Sequence, residues 1–192
     1  QSGFITLKEG HFADGTGERI RFFGTNLTFG DCFPDKETSI GIATRLRKLG
    51  MNVVRFHHMD NRSAPGGLWD KDFKGLDPVQ LDKLDWLIYQ LKIHGIYTNL
   101  NTHVSRNYPG LTYKGIDQFN YGKGIDQFYR PYIEMQKKYA NMLLTHKNPY
   151  TGTSYIEEPA VAFVEVNNEN SLLSNWALLP QLNPEHKKAR TG

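Results

Sequence analysis

The feature that most constrains this chain is a strict alternation: four segments of strand character separated by three amphipathic helical stretches, with polar residues gathered where each strand ends. Ile20 to Asn26 reads as the first main strand. From Ser39 to Leu49, Ile42, Ala43, Leu46 and Leu49 fall at helical spacing, and Gly50 is a natural stop before the strand Met51 to His57. Asp77 is an N-cap candidate and Pro78 suits a first helical turn. Val79 to His94 then carries Leu81, Leu84, Leu87, Ile88 and Leu91, and Gly95 precedes the strand Ile96 to His103. Pro131 to His146 forms the third helical pattern, with Ile133, Met135, Tyr139, Met142 and Leu143, and Ala160 to Asn168 the fourth strand.

Strands alternating with helices imply an α/β fold with a parallel sheet, and right-handed crossovers leave either an open doubly wound sheet or part of a (β/α)8 barrel. Periodicity alone does not choose. A doubly wound nucleotide binder carries a glycine-rich phosphate loop after its first strand, and Gly24 to Gly30 (GTNLTFG) has neither GxGxxG nor GK[ST] spacing. Asn26, His57, His58, Asn101, His103, Asn168 and Glu169 instead fall at the C-terminal ends of the strands, where barrel active sites are built. Residues 1–19 read as a small N-terminal β element, with Phe4 to Leu7 turning through Gly10 into His11 and Phe12, and residues 177–192 as a polar tail on a single domain of 1–192. In the third loop Lys114 to Phe119 (KGIDQF) recurs as Lys123 to Phe128, which reads as a short duplication lengthening a surface loop rather than as a dedicated binding element.

Composition excludes several classes. At 39% hydrophobic over 192 residues the chain can bury an ordinary core, and 23 basic residues interspersed with 20 acidic ones give a net charge of only +3 with no basic stripe. Nucleic acid is not an expected partner. No apolar run approaches the roughly 20 residues of a membrane span. Lone Cys32 can form neither an internal disulfide nor a thiolate zinc cage, and reads as a small core or loop thiol.

The most specific segment is Val161 to Asn170 (VAFVEVNNEN), a buried-type strand ending in an Asn-Glu pair. From about Ile20 to Leu173 the chain resembles the clan of retaining glycoside hydrolases that includes the cellulase-like family 5, in which Asn-Glu at the end of strand four supplies a substrate-binding amide and the acid/base carboxyl. The resemblance implies a (β/α)8 barrel, with Glu169 as acid/base and Asn168 bonding the sugar 2-hydroxyl. The residue types fit the chemistry. A carboxyl must protonate the leaving oxygen and then deprotonate the water that releases the glycosyl intermediate. Glu165, four residues before Glu169, should leave the strand on the same face one layer deeper, where a carboxylate needs a partner; Arg55 on strand two is the available guanidinium. By the resemblance, His103 lies beside the sugar. His57 shares Arg55's face, and adjacent His57 and His58 point apart, so they read as structural or sugar-bonding groups rather than zinc ligands. Trp69, Tyr108, Tyr113 and Trp176, in or near strand-end loops, are candidate sugar-stacking walls, whereas Trp86 within the second helix reads as core. No metal or cofactor is expected.

In the resembling clan the nucleophile is a Glu at the end of strand seven, and a full barrel takes about 250 residues. The sequence therefore reads as strands one to four, half of the barrel, with the nucleophile-bearing half absent. Two copies closing a barrel would bring strand three, ending in Asn101-Thr102-His103, to the nucleophile position without a carboxylate. The expectation is a β-linked oligo- or polysaccharide ligand, little or no retaining hydrolysis by this chain alone, and closure of the open sheet edges by a homo-oligomer or a complementary half-barrel. A secreted or periplasmic setting follows from the resemblance. The rivals are a noncatalytic carbohydrate-binding half-barrel and, opposed by the missing phosphate loop, a nucleotide-binding domain.

Overall fold

The computed structural model describes residues 3–106, 110–113, 116–117 and 122–174. A two-stranded antiparallel hairpin, β1 (Thr6–Lys8) and β2 (His11–Ala13), comes first. The main sheet is parallel and built from β3 (Gly24–Thr28), β4 (Val53–His57), β5 (Tyr97–Asn101) and β8 (Val161–Glu165), in the spatial order β3-β4-β5-β8. Helices α1 (Lys36–Lys48), α2 (Pro78–Ile93) and α3 (Arg130–Leu144) make the crossovers, and a short ribbon of β6 (Thr112–Tyr113) and β7 (Ile116–Asp117) rises from the loop after β5. The architecture is α/β, with sequential strands adjacent in one sheet, as in the first half of a (β/α)8 barrel.

Local chemistry accounts for most boundaries. The Asp77 carboxylate accepts from the backbone N–H groups of Val79 and Gln80 and starts α2 on Pro78, while Gly50 and Gly95 follow α1 and α2 at φ 75° and 73°. Helix α1 begins three residues before the apolar pattern does, because the Asp35 carboxylate accepts from Thr38 N at 2.7 Å. Strand β3 is displaced from the expected Ile20–Asn26. The side chain of Asn52 accepts from Phe23 N and donates to Arg21 O, tying residues 21 to 23 outside the ladder. The ladder starts at Gly24, where a Cβ would lie 1.9 Å from Val53 O. The fourth strand ends at Glu165, not Asn168.

The core lies between the sheet and its helices: Val54, Phe56, Ile96 and Leu100 pack against Ala43 and Leu46 of α1, Leu84, Leu87, Ile88 and Leu91 of α2, and Tyr139 and Leu143 of α3. Each such aliphatic side chain contributes about 1.5–3 kcal/mol by leaving water. Cys32 is fully buried in this layer, and burial pushes its thiol up to about 12. Trp86, read as core, is instead half-buried on the helical surface, where its indole N–H donates to Lys36 O beside Tyr89 and Tyr150. The opposite, concave face is lined by Gly24, Asn26, Val53, Arg55, Asn99 and Phe163. At its N-terminal end the hairpin contributes Phe12, which packs edge-to-face on Phe22 and Phe163 with centroids 5.6 and 5.3 Å apart, while Phe22 reaches Tyr97. The hairpin thus floors the open sheet. Among the described residues β3 and β8 are the sheet edges, and β8 exposes Val164 on the face turned from the concavity.

Candidate active site

Arg55 and Glu165 meet across the concave face. The guanidinium donates from Nε to Glu165 Oε1 at 2.9 Å and from Nη2 to Oε2 at 2.6 Å, and Asn99 adds a third donor to Oε1 at 2.6 Å. The Arg55 hydrogen bond, opposed by burial and aided by Asn99, holds the Glu165 carboxyl below the usual carboxylate range. Arg55 Nη2 also donates to Asn168 Oδ1 at 2.9 Å. With its carbonyl oxygen so engaged, the Asn168 amide presents its NH2 as donor. One arginine therefore fixes both the deeper carboxylate and the amide beside Glu169.

Glu169 stands at the mouth by a route the strand period does not describe. Beyond β8 the chain turns, Asn168 N donates to His103 O at 3.0 Å, and Glu169 takes a left-handed φ of 48°. Its exposed carboxylate lines a cleft of about 290 Å³ with Phe29, His58, Asn61, Arg62, Val104, Ser105, Lys123 and Asn168. Phe29 and His58 are also left-handed, at φ 50° and 61°, so three of the five non-glycine residues at positive φ among the described residues border one cleft. Such backbone costs of order 1–3 kcal/mol per residue and collects at functional sites. The His58 ring stacks on Phe29 with centroids 4.3 Å apart; burial first, then His57, opposed by Asp60 and aided by Lys123 and Arg55, hold its pKa below the usual imidazole value. His57, on Arg55's face, is buried with Nδ1 2.5 Å from Asn101 Oδ1.

The loop carrying Glu169 is anchored from behind. Asn170 Nδ2 donates to both oxygens of Asp126, at 3.1 and 3.0 Å, while Gly124 N and Gln127 Nε2 donate to Asn170 Oδ1 and O. Asp126 is fully buried, and its Oδ2 lies 2.7 Å from His103 Nε2; the other nitrogen of that imidazole, Nδ1, lies 3.6 Å from Asp60 Oδ2, which Arg106 pairs at 3.5 Å. The second KGIDQF copy is therefore more than a lengthened surface loop: Phe128 is exposed, but Gly124, Asp126 and Gln127 seat the Glu169 turn. The reading of the duplication is corrected for this copy; the first lies partly outside the described residues.

Other expectations divide. Asn26 lines the concave face beside Arg55. His103 is 1% exposed and committed to Asp126, so it supports the mouth from beneath rather than meeting a ligand. Trp69 is a correction: its indole is 1% exposed, donates to Asp60 O at 3.0 Å and packs on Tyr139, so it holds loops and cannot stack on a sugar. Tyr108, Trp176 and the side chain of Tyr113 lie outside the described residues. Sequence reasoning missed Phe29, Asp60, Arg62, Lys123, Asp126 and Asn170; only the exact hexapeptide repeat marked Lys123 and Asp126, and the run HHMDNR marked Asp60 and Arg62.

No protein-family model matches this sequence, and no curated protein is detectably similar to it. Solved structures are. The endo-1,4-β-mannanase of Rhizomucor miehei superposes at TM-score 0.69 with 21% identity over 87% of this chain and 48% of its own. A family 5 mannosidase of the same fungus gives 0.68 with 12% identity over 96% and 54%, and the endo-β-1,4-mannanase of Thermotoga petrophila 0.57 with 20% over 88% and 42%. This chain spans about half the length of the structures it matches. Its fold is that of the first half of a family 5 glycoside hydrolase barrel.

Proposed function

We propose that this chain is the acid/base-bearing half of a retaining β-glycoside hydrolase acting on β-linked mannans, with Glu169 the acid/base and Asn168 the amide that holds the sugar 2-hydroxyl. The single observation that carries it is the Arg55–Glu165–Asn168 arrangement, in which Arg55 engages the Asn168 carbonyl oxygen and leaves the NH2 as the donor, beside Glu169 in the lining of one cleft. A 2-hydroxyl contact strengthens as positive charge develops on the ring, and a carboxyl at the leaving oxygen supplies its proton. The mannan preference rests on the names of the similar structures. A retaining reaction needs a second carboxyl about 5–5.5 Å from the first, and the described lining of the cleft offers none besides Glu169. In this reading the nucleophile belongs to the strand-seven position of a closed barrel. A complementary half-barrel paired at the β3 and β8 edges would supply it, whereas a second copy of this chain would close the barrel but bring Asn101-Thr102-His103 to that position, without a carboxylate. A polymeric glycan also implies that the protein works outside the cytoplasm.

The test is cleavage of phenyl β-mannobioside, whose leaving group needs a proton, with and without formate as a small external nucleophile. The expected result is phenol release that depends on formate and disappears in Glu169→Gln. Release without formate would place a nucleophile within this chain; no release under either condition, while mannotetraose binds, would favour the noncatalytic carbohydrate-binding reading.

A further inference from the structure

The cleft beside Glu169 carries an excess of positive charge that a neutral mannan does not use. Arg62 and Lys123 both line it, Glu169 is its one described carboxylate, and neither cation has a carboxylate within ion-pair distance among the described residues. Arg62 is held in place: its Nε donates to Asn61 Oδ1 at 2.9 Å and its guanidinium lies 5.2 Å from the centroid of Phe29, the ring that stacks on His58. Asn61 is in turn fixed by donating to Ser105 O and Oγ at 3.0 and 2.9 Å. Lys123 precedes Gly124, whose N–H is bonded to Asn170 at 2.9 Å, so its backbone is tied to the same turn that presents Glu169. Two cations on anchored backbone, facing one cleft from opposite loops, form a receptor for an anionic group, and an oriented guanidinium suits a planar carboxylate.

We propose that this cleft takes a β-linked glycan bearing a uronate carboxylate on the sugar beside Glu169, with Arg62 and Lys123 as the specificity-determining residues. The inference rests on the glycan-binding reading above and names its substrate class more narrowly. A carboxylate at C6 of a β-1,4-linked mannose ring leaves the 2-hydroxyl and the glycosidic oxygen unchanged. Asn168 and Glu169 keep their partners while the acid group meets the cations.

Calorimetric titration of the full chain with β-1,4-mannotetraose and with β-1,4-tetramannuronate, alike in linkage and length, tests this directly. The expected result is a Kd about tenfold lower for the uronate, in line with one or two charge-assisted contacts that are partly solvated. That ratio should collapse toward one in Arg62→Gln and in Lys123→Gln, fall as salt is raised from 0.05 to 0.5 M because the Debye length shortens from about 14 to about 4 Å, and stay unchanged in Lys48→Gln, a surface control on α1. Equal affinity for the two ligands, or an equal loss in Lys48→Gln, would overturn the inference while leaving the glycan-binding reading intact. Binding of neither ligand would remove both.

Discussion

Replacing Arg55 by methionine removes the two charge-assisted hydrogen bonds to Glu165, at 2.9 and 2.6 Å, and the bond to Asn168 at 2.9 Å, while keeping most of the side chain's length. A hydrogen bond to a charged group is worth about 1.5–3 kcal/mol net. Arg55 and Glu165 are 24% and 31% exposed, however, so the stranded carboxylate recovers part of its hydration and keeps Asn99 as donor. The loss should sit near the low end, about 2 kcal/mol at pH 7. The sign of its pH dependence is fixed by the depressed carboxyl of Glu165. A group held below its ordinary value contributes stability above the unfolded pKa of about 4.3, and that stability drains away as pH falls through the folded value. Urea unfolding of the wild type and Arg55→Met at pH 7 and pH 3 reads this out. At pH 7 the midpoint should drop by about 1 M for a slope near 2 kcal/mol/M, and the gap between the two curves should narrow at pH 3. A loss below about 0.5 kcal/mol at pH 7, or an equal loss at both pH values, would refute the argument.

Asp126→Asn probes the seat of the Glu169 turn. Burial pulls His103 down, but Asp126 and Asp60 together outweigh it and raise its pKa, so the stability it contributes is present below about 6.5 and is lost as pH rises through the raised value. Wild-type urea midpoints should therefore fall between pH 6 and 9, and the variant should flatten that slope. Gly24→Ala should destabilise the sheet by several kcal/mol, on the order of a severe overpacking, because its Cβ would lie 1.9 Å from Val53 O; a melting temperature within 2 °C of wild type would count against the β3–β4 register. Cys32, buried with its thiol raised to about 12, should react with a disulfide reagent only as fast as the chain unfolds, checked by labelling against urea concentration.

Much of the architecture was legible because it rests on local chemistry. Gly50 and Gly95 stop helices in any context that needs a left-handed residue, Asp77 caps because its carboxylate reaches two free N–H groups, and a carboxylate at Glu165 demanded a cation that only Arg55 could supply. The site was legible only in part. The left-handed backbone at Phe29, His58 and Glu169 has no compositional mark, since nothing but tertiary packing forces non-glycine residues there. Trp69 looked like a subsite wall because it sits in a strand-end loop, yet the same loop folds back and buries the ring on Tyr139. The repeat marked Asp126 but not its role: two identical hexapeptides give no hint that one of them is to be buried beneath Asn170.

The most direct test of the account is a crystal structure of the full chain soaked with mannotetraose. The account predicts a glycosidic oxygen within about 3 Å of the Glu169 carboxyl and a 2-hydroxyl accepting from the Asn168 amide. Arg55 should stay on Glu165, as it is without ligand. A sugar seated away from this cleft, or one bound here with its 2-hydroxyl turned from Asn168, would contradict it.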